Sequence, residues 1–430
     1  MTLPDHSQPR REFLQQTMAG TGAGLACLLS PMAGVNSIHA ALLAEGESST
    51  VSQNMIGAYG QWAATIVGDE PARLSFLQPR FQETAAWRVE AKRRALECLA
   101  PPPAKPLADV RVEEVSEFDG LIVERLSWQL PYGPRTSAVV LKPAGAKGQL
   151  PGIVGLHDHG GNKFFGHEKI TRTGLAQHPL MAEHQMGYYG GRAWANELAK
   201  RGYVVLVHDA FAFASRKVRM QDVPPAAQLG THPIADDSDA SIATYNLWAA
   251  DHEHLMAKSL FCAGTTWPGV FLSEDERAVD YLSARPDVDA ERIGCAGLSG
   301  GGLRTVYLGG LDDRIRCACC VGMMSTWRDY LLHKCYTHTW MIYIPLLPRD
   351  LDYPEILALR APKATLVQND VDDQLFTMPE MERADRLMKA IFVKAGAPDR
   401  YCCTFYPGPH KFDVPMQEAA FDWFDRWLKV

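Results

Sequence analysis

Positive charge is scarce in this chain. Lys and Arg number 43 against 50 Asp and Glu, a formal net charge of −7 over 430 residues. That acidic balance argues against a nucleic-acid footprint, so no nucleic-acid partner is expected. Beyond residue 44 no apolar run approaches the ~20 residues that cross a bilayer, and no stable membrane span is expected. Internal repeats and low-complexity tracts are absent, which argues against solenoids and disordered tails. Paired cysteine ligands are missing too. Cys317 and Cys320 have C-x-x-C spacing, but they lie in the apolar run Arg316-Cys317-Ala318-Cys319-Cys320-Val321 with no second pair, where Cys acts as a small hydrophobe. Nine cysteines follow residue 44 (Cys98, Cys262, Cys295, Cys317, Cys319, Cys320, Cys335, Cys402 and Cys403). That odd count leaves at least one thiol free. What is present is 47% hydrophobic and 22% charged residues, ordinary for a globular protein long enough to bury a core without staples.

The first residues read differently from the rest. Arg10 and Arg11 stand side by side before Glu12-Phe13-Leu14, and an apolar, glycine-rich stretch runs from Met18 to Val35. This resembles a twin-arginine signal, in which export machinery reads the arginine pair. The resemblance implies a signal peptide over residues 1–44, with cleavage after Ala40 or Ala44, and a periplasmic or secreted mature protein. Export of an already folded chain fits many reduced thiols. Cys27 lies in the stretch, but Gly24 stands where a lipid-attachment site usually carries a leucine-like residue.

From Ser52 to Leu99 apolar residues recur at helical spacing through Trp62, Ile66, Trp87, Ala91 and Ala95, until Pro101-Pro102-Pro103. Residues 45–108 therefore read as an N-terminal helical extension. Over 109–430, strand-like and helical segments alternate. Leu121 to Val123 and Ser137 to Leu141, either side of Pro131-Tyr132-Gly133-Pro134, predict an edge hairpin. Strands follow at Pro151–Leu156, Tyr203–His208, Arg292–Gly297, Thr365–Gln368 and Tyr401–Tyr406, with helices between. This is the pattern of an α/β protein with a doubly wound, mostly parallel sheet. Two long connections, 162–189 and 211–257, follow strand ends and read as lids or binding loops. Arg216, Lys217 and Trp267 are candidates to line a pocket there.

The strongest chemical signal is Gly297-Leu298-Ser299-Gly300-Gly301 between a strand and a helix-like run. A serine on so sharp a turn needs small residues two positions either side, and the following helix aims free N–H groups at the reacting oxygen. Ser299 is thus a candidate nucleophile. His410, in Pro407-Gly408-Pro409-His410 after a strand, is the candidate base. The acid should follow the strand 365–368, where Asp370, Asp372 and Asp373 compete; Asp373 leads the run Asp373-Gln374-Leu375-Phe376 and is favoured. Serine, acid and histidine then follow the chain order expected of such a site. An oxyanion hole would take the Gly300 N–H and a second donor from His157-Asp158-His159-Gly160-Gly161, either His159 or Gly160, each worth roughly 3 kcal/mol. A rival is a metal site built from His157, Asp158, His159, His167 and Glu168; no second ligand cluster supports it, and Asp251-His252-Glu253-His254 reads as a polar helix face.

These stretches, with Tyr203 to Phe213, resemble the dienelactone hydrolase and acetyl xylan esterase branch of the α/β-hydrolases over residues 110–430. The resemblance implies the α/β-hydrolase fold and hydrolysis of a small-molecule or carbohydrate ester through an acyl-enzyme, with neither cofactor nor metal. Dienelactone hydrolases carry a cysteine nucleophile, so Ser299 moves the expectation toward serine esterases. The alternative is a prolyl-oligopeptidase-like peptidase or amidase, though no propeller domain precedes the catalytic segment.

Overall fold

The computed structural model describes residues 53–68, 71–103, 107–231 and 237–429. The expected export signal lies outside them. Two helices come first, α1 (Gly60–Val67) and α2 (Thr84–Leu99). The helical reading of 52–99 needs correction between them: residues 71–83 form turns, where Pro71 and Pro79 lack the N–H that a helix interior requires. Leu74, Phe76 and Phe81 of that segment are buried beside Trp87, Ala91 and Ala95 of α2, and join one apolar cluster with sheet residues such as Val140 and Val154. Helix α1 forms, but Trp62 and Ile66, expected to face a core, are 63% and 44% exposed.

The sheet begins with β1 (Ala108–Phe118), β2 (Leu121–Gln129) and β3 (Thr136–Pro143), an antiparallel meander in which Leu121 opposes Pro143 and Trp128 opposes Thr136. The expected hairpin is therefore present, with β1 added outside it. There follow β4 (Leu150–Gly155), β5 (Val204–His208), β6 (Val288–Leu298), β7 (Ile315–Val321), β8 (Ala364–Asp370) and β9 (Tyr401–Tyr406). Their order is β1-β2-β3-β5-β4-β6-β7-β8-β9. β3 runs antiparallel to β5, and every neighbouring pair from β5 to β9 is parallel. Strands covered on both faces read as continuous apolar runs, as Val204 to Val207 does.

Eight helices of six residues or more follow among the described residues: α3 (Pro179–Tyr189), α4 (Trp194–Lys200), α5 (Asp239–Cys262), α6 (Trp267–Ser283), α7 (Gly300–Leu311), α8 (Tyr353–Ala358), α9 (Met378–Lys394) and α10 (Val414–Leu428). Successive strand residues face opposite sides of a sheet. Val140, Val154 and Leu206 accordingly pack with α2 and α6 to α9, while Val139, Ile153 and Val205 pack with α4 and α10. The two connections read as long loops are partly helical: the first holds α3 and the second runs into α5. The chain passes from β4 out to β5, then returns across β4 to β6 and onward. This reversal makes the carboxyl ends of β4 and β6 the switch point of the sheet, where a crevice that binds ligands is expected.

Candidate active site

Ser299 lies between β6 and α7 with φ 57° and ψ −116°. A side chain in that region costs about 1–3 kcal/mol and persists only where the surroundings impose it. Here they do. Its N–H donates to Val321 O of β7 at 2.9 Å, and its carbonyl accepts the Leu303 N–H of α7 at 2.8 Å. One residue must turn the chain from strand to helix. Glycine on either side permits this, because a Cβ on Gly301 would stand 2.0 Å from Leu156 O, and one on Gly297 2.4 Å from the same atom. The end of β4 therefore packs directly on the turn, with the half-buried serine at the positive end of α7.

The structure brings His410 and Asp373 together. His410 Nδ1 donates to Asp373 Oδ2 at 2.6 Å, and Asp373 Oδ1 accepts the Leu375 N–H at 2.9 Å. Asp373 is 4% exposed. The other two aspartates hold the histidine's loop instead. Asp370 Oδ2 accepts the Lys411 N–H at 3.0 Å, and the exposed Asp372 accepts the Gly408 N–H at 3.0 Å. Burial pushes the Asp370 carboxyl up to about 7, and its Oδ1 is buried without a partner.

The imidazole lies beside the serine turn. A Cβ on Gly322 would meet both His410 Cε1 and Leu298 Cδ1 at 2.9 Å, and Tyr188 approaches the ring edge-on at 6.5 Å. His410 Nε2 is buried with no hydrogen-bond partner, so no hydrogen bond joins it to Ser299 here. Burial opposes charging this ring, but Asp373, and Asp370 beyond it, outweigh burial and raise its pKa above the ordinary histidine value.

Side chains fasten the loop after β4. His157 Nε2 accepts the Ala210 N–H at 3.1 Å. Asp158, 1% exposed, meets His184 at 3.1 Å and Tyr189 at 2.5 Å through Oδ1. His159 accepts the Gly161 N–H on Nδ1 at 3.0 Å, so its Nε2 carries the proton given to Glu253 Oε1 at 2.9 Å. Gly160 is left-handed at φ 50°, and a Cβ there would stand 2.4 Å from Asp158 Oδ2. The His159 nitrogen lies against Gly300, 2.8 Å from where a Cβ would be. Among the described residues the His159 N–H has no acceptor, and Gly300, first in α7, has none within its helix. Two free backbone donors thus sit side by side next to Ser299.

Glu253 corrects the reading of 251–254 as a polar helix face. It is 3% exposed and His252 is 6% exposed. Glu253 binds His159 and Lys163 Nζ (2.5 Å) through Oε1, and the Trp340 N–H (3.1 Å) through Oε2. Burial opposes ionisation of Glu253, but the Lys163 charge and the hydrogen bond from His159 hold its pKa well below the usual carboxylate range. The side chains of His157, Asp158 and His159 diverge to separate partners rather than converging on an ion. His167, Glu168 and Asp209 do bring ligand-type atoms within 4.8 Å of one another, with Asp209 engaged by the His167 N–H (2.9 Å) and Ser215 Oγ (2.7 Å). Arg216 and Trp267, considered as pocket residues, belong to the interior: Arg216 pairs with buried Glu274 at 2.7 Å, and Trp267 is 1% exposed. Lys217 stands over the Phe164 ring, 4.1 Å from its centroid.

No family model matches the chain. YtaP of Bacillus subtilis, which bears the name of a hydrolase, is 24% identical over 344 residues, spanning 79% of this chain and 100% of YtaP. A Bacteroides fragilis protein crystallised under the name of an acetyl xylan esterase superposes with a TM-score of 0.61 at 18% identity, over 84% of each chain. A glucuronoyl esterase from Solibacter usitatus superposes with a TM-score of 0.58 at 15% identity, over 83% of this chain and 97% of its own. The sheet order, the crossovers and these likenesses define the α/β-hydrolase fold.

Proposed function

We propose that this protein is a serine ester hydrolase of the acetyl xylan esterase-like kind, acting outside the cytoplasm on a small-molecule or carbohydrate ester. The observation that carries the reading is the strained Ser299 turn with His410, paired to buried Asp373, beside it. With Nδ1–H committed to Asp373, the His410 Nε2 lone pair is the base. It is buried and unpartnered, open to the Ser299 hydroxyl when substrate fills the crevice; such contacts are often loose before substrate binds. The serine oxygen attacks the ester carbonyl as His410 takes its proton, and the Gly300 and His159 or Gly160 N–H groups receive the oxyanion. His410 then protonates the leaving alcohol, and water releases the acid by the same steps. Deprotonating a free serine at neutral pH is unfavourable, which is why the base must be adjacent.

The names carried by the similar structures support an ester, and a carbohydrate one, as substrate. Export by the twin-arginine route rests on Arg10 and Arg11; no described helix is long and apolar enough to cross a membrane. A panel of acyl esters of sugars and simple alcohols, beside aminoacyl-prolyl amides, tests the reading on the mature protein. Ester turnover that vanishes in Ser299→Ala supports it; turnover of amides alone, or an active Ser299→Ala, overturns it.

A further inference from the structure

We propose that Lys169 is a positioning residue whose buried ammonium aims the His159 and Gly160 N–H groups at the reacting oxygen. The inference rests on the ester-hydrolase reading above. Lys169 ends a short turn, His167–Lys169, and is 0% exposed. Its Nζ donates to Asp158 O at 2.8 Å and His159 O at 2.9 Å, lies 3.8 Å from Asp158 Oδ2, and stands over the Phe213 ring at 4.7 Å. Burying an ammonium carries a penalty of several kcal/mol, and holding a loop in shape does not of itself require one. What this ammonium does is gather two consecutive carbonyls onto one point.

In a planar trans peptide the carbonyl and the following N–H point in opposite directions. Drawing the carbonyls of 158 and 159 toward Lys169 therefore turns the N–H groups of His159 and Gly160 away from it. The His159 nitrogen is the one that lies against Gly300 and has no acceptor. The charge also lies behind the donors, where it favours a developing oxyanion. Glu253 of α5 braces the same loop through the His159 ring and Lys163. Facing Lys169 are Asp158, Lys163, Glu168 and Asp209; burial is the largest influence and brings its pKa down to about 8. Turnover should accordingly fall on the alkaline side as the ammonium loses its proton, a limb separate from the acid limb of His410.

The test compares wild type, Lys169→Met and Lys169→Arg in kcat, KM, thermal melting and inhibition by phenylboronic acid, which forms a tetrahedral adduct on a serine oxygen. Loss of a single oxyanion donor lowers kcat about 10²–10³-fold. A folded Lys169→Met should lose at least that much in kcat and a parallel factor in boronate affinity, with KM nearly unchanged and the alkaline limb gone; Lys169→Arg should recover part of it. A folded Lys169→Met with wild-type kcat, or one that loses kcat yet keeps boronate affinity, overturns the proposal. Should Lys169→Met not fold, the wild-type profile decides: an alkaline limb in kcat near 8 supports the role, and a flat profile overturns it. Ser299→Ala run alongside keeps the two readings apart. Its activity tests the ester hydrolase, and Lys169→Met tests the positioning.

Discussion

Asp373 Oδ2 stands 2.6 Å from His410 Nδ1 while Asp373 Oδ1 holds the Leu375 N–H, so both carboxylate oxygens are occupied and the imidazole's tautomer is fixed. Asp373→Asn would favour the wrong tautomer. We expect kcat to drop about 10³–10⁴-fold, with Asp372→Asn costing far less because the Asp372 side chain accepts only the Gly408 N–H. Steady-state kinetics of the two variants separates these roles; comparable losses would mean that the acid is assigned wrongly.

The pH dependence follows from the raised His410 pKa. The proposed base works when neutral, so kcat/KM should decline as pH falls through a value above the ordinary 6.5 or so. The linked stability has the opposite sense. The imidazolium–carboxylate pair stabilises the fold fully below the unfolded histidine value, and that contribution is lost as pH rises through the folded one. A pH–rate profile with its acid limb below 6 would contradict the pairing.

Strain at Ser299 is measurable without substrate. Ser299→Ala keeps a Cβ at φ 57°, whereas Ser299→Gly does not. The glycine variant should unfold at higher denaturant than the alanine variant, by roughly 1 kcal/mol, since relief of 1–3 kcal/mol is offset by glycine's larger unfolded entropy. Equal midpoints would show that the turn is relaxed.

Glu253→Ala removes the partner of both His159 and buried Lys163. Leaving such a charge unpaired costs about 3–5 kcal/mol, and the loop after β4 loses its brace. We expect a lower melting temperature together with a kcat loss of about 10-fold or more, larger than the change in KM. A melting shift with unaltered kcat would confine Glu253 to the scaffold.

The Ser299 turn and the pairing of Asp373 with His410 could be anticipated because their signals are local: a small-residue turn between strand and helix, an aspartate after a strand, a histidine in a Pro-Gly loop. The alternation that yields the parallel sheet is equally local, since each strand's apolar run records burial on both faces. Glu253, Lys163 and Lys169 were not legible. Charged residues read as solvated unless their partners are known, and His159 lies 94 positions from Glu253. Nor could helical spacing reveal that the Trp62 face of α1 meets solvent, because periodicity shows which residues share a face and not what that face touches. The aspartate trio resolved only in three dimensions, where two of them proved to hold the loop that carries the third one's histidine.

All nine cysteines from Cys98 to Cys403 are unbridged among the described residues, and five of them, Cys98, Cys295, Cys317, Cys319 and Cys320, are buried. Nothing in the architecture then calls for oxidative maturation. A laboratory host with a reducing interior should yield competent material directly, and dithiothreitol should leave its melting curve where it was. Burial pushes the Cys295 and Cys320 thiols well above their usual range, so alkylating reagents should find Cys262, the exposed one, first.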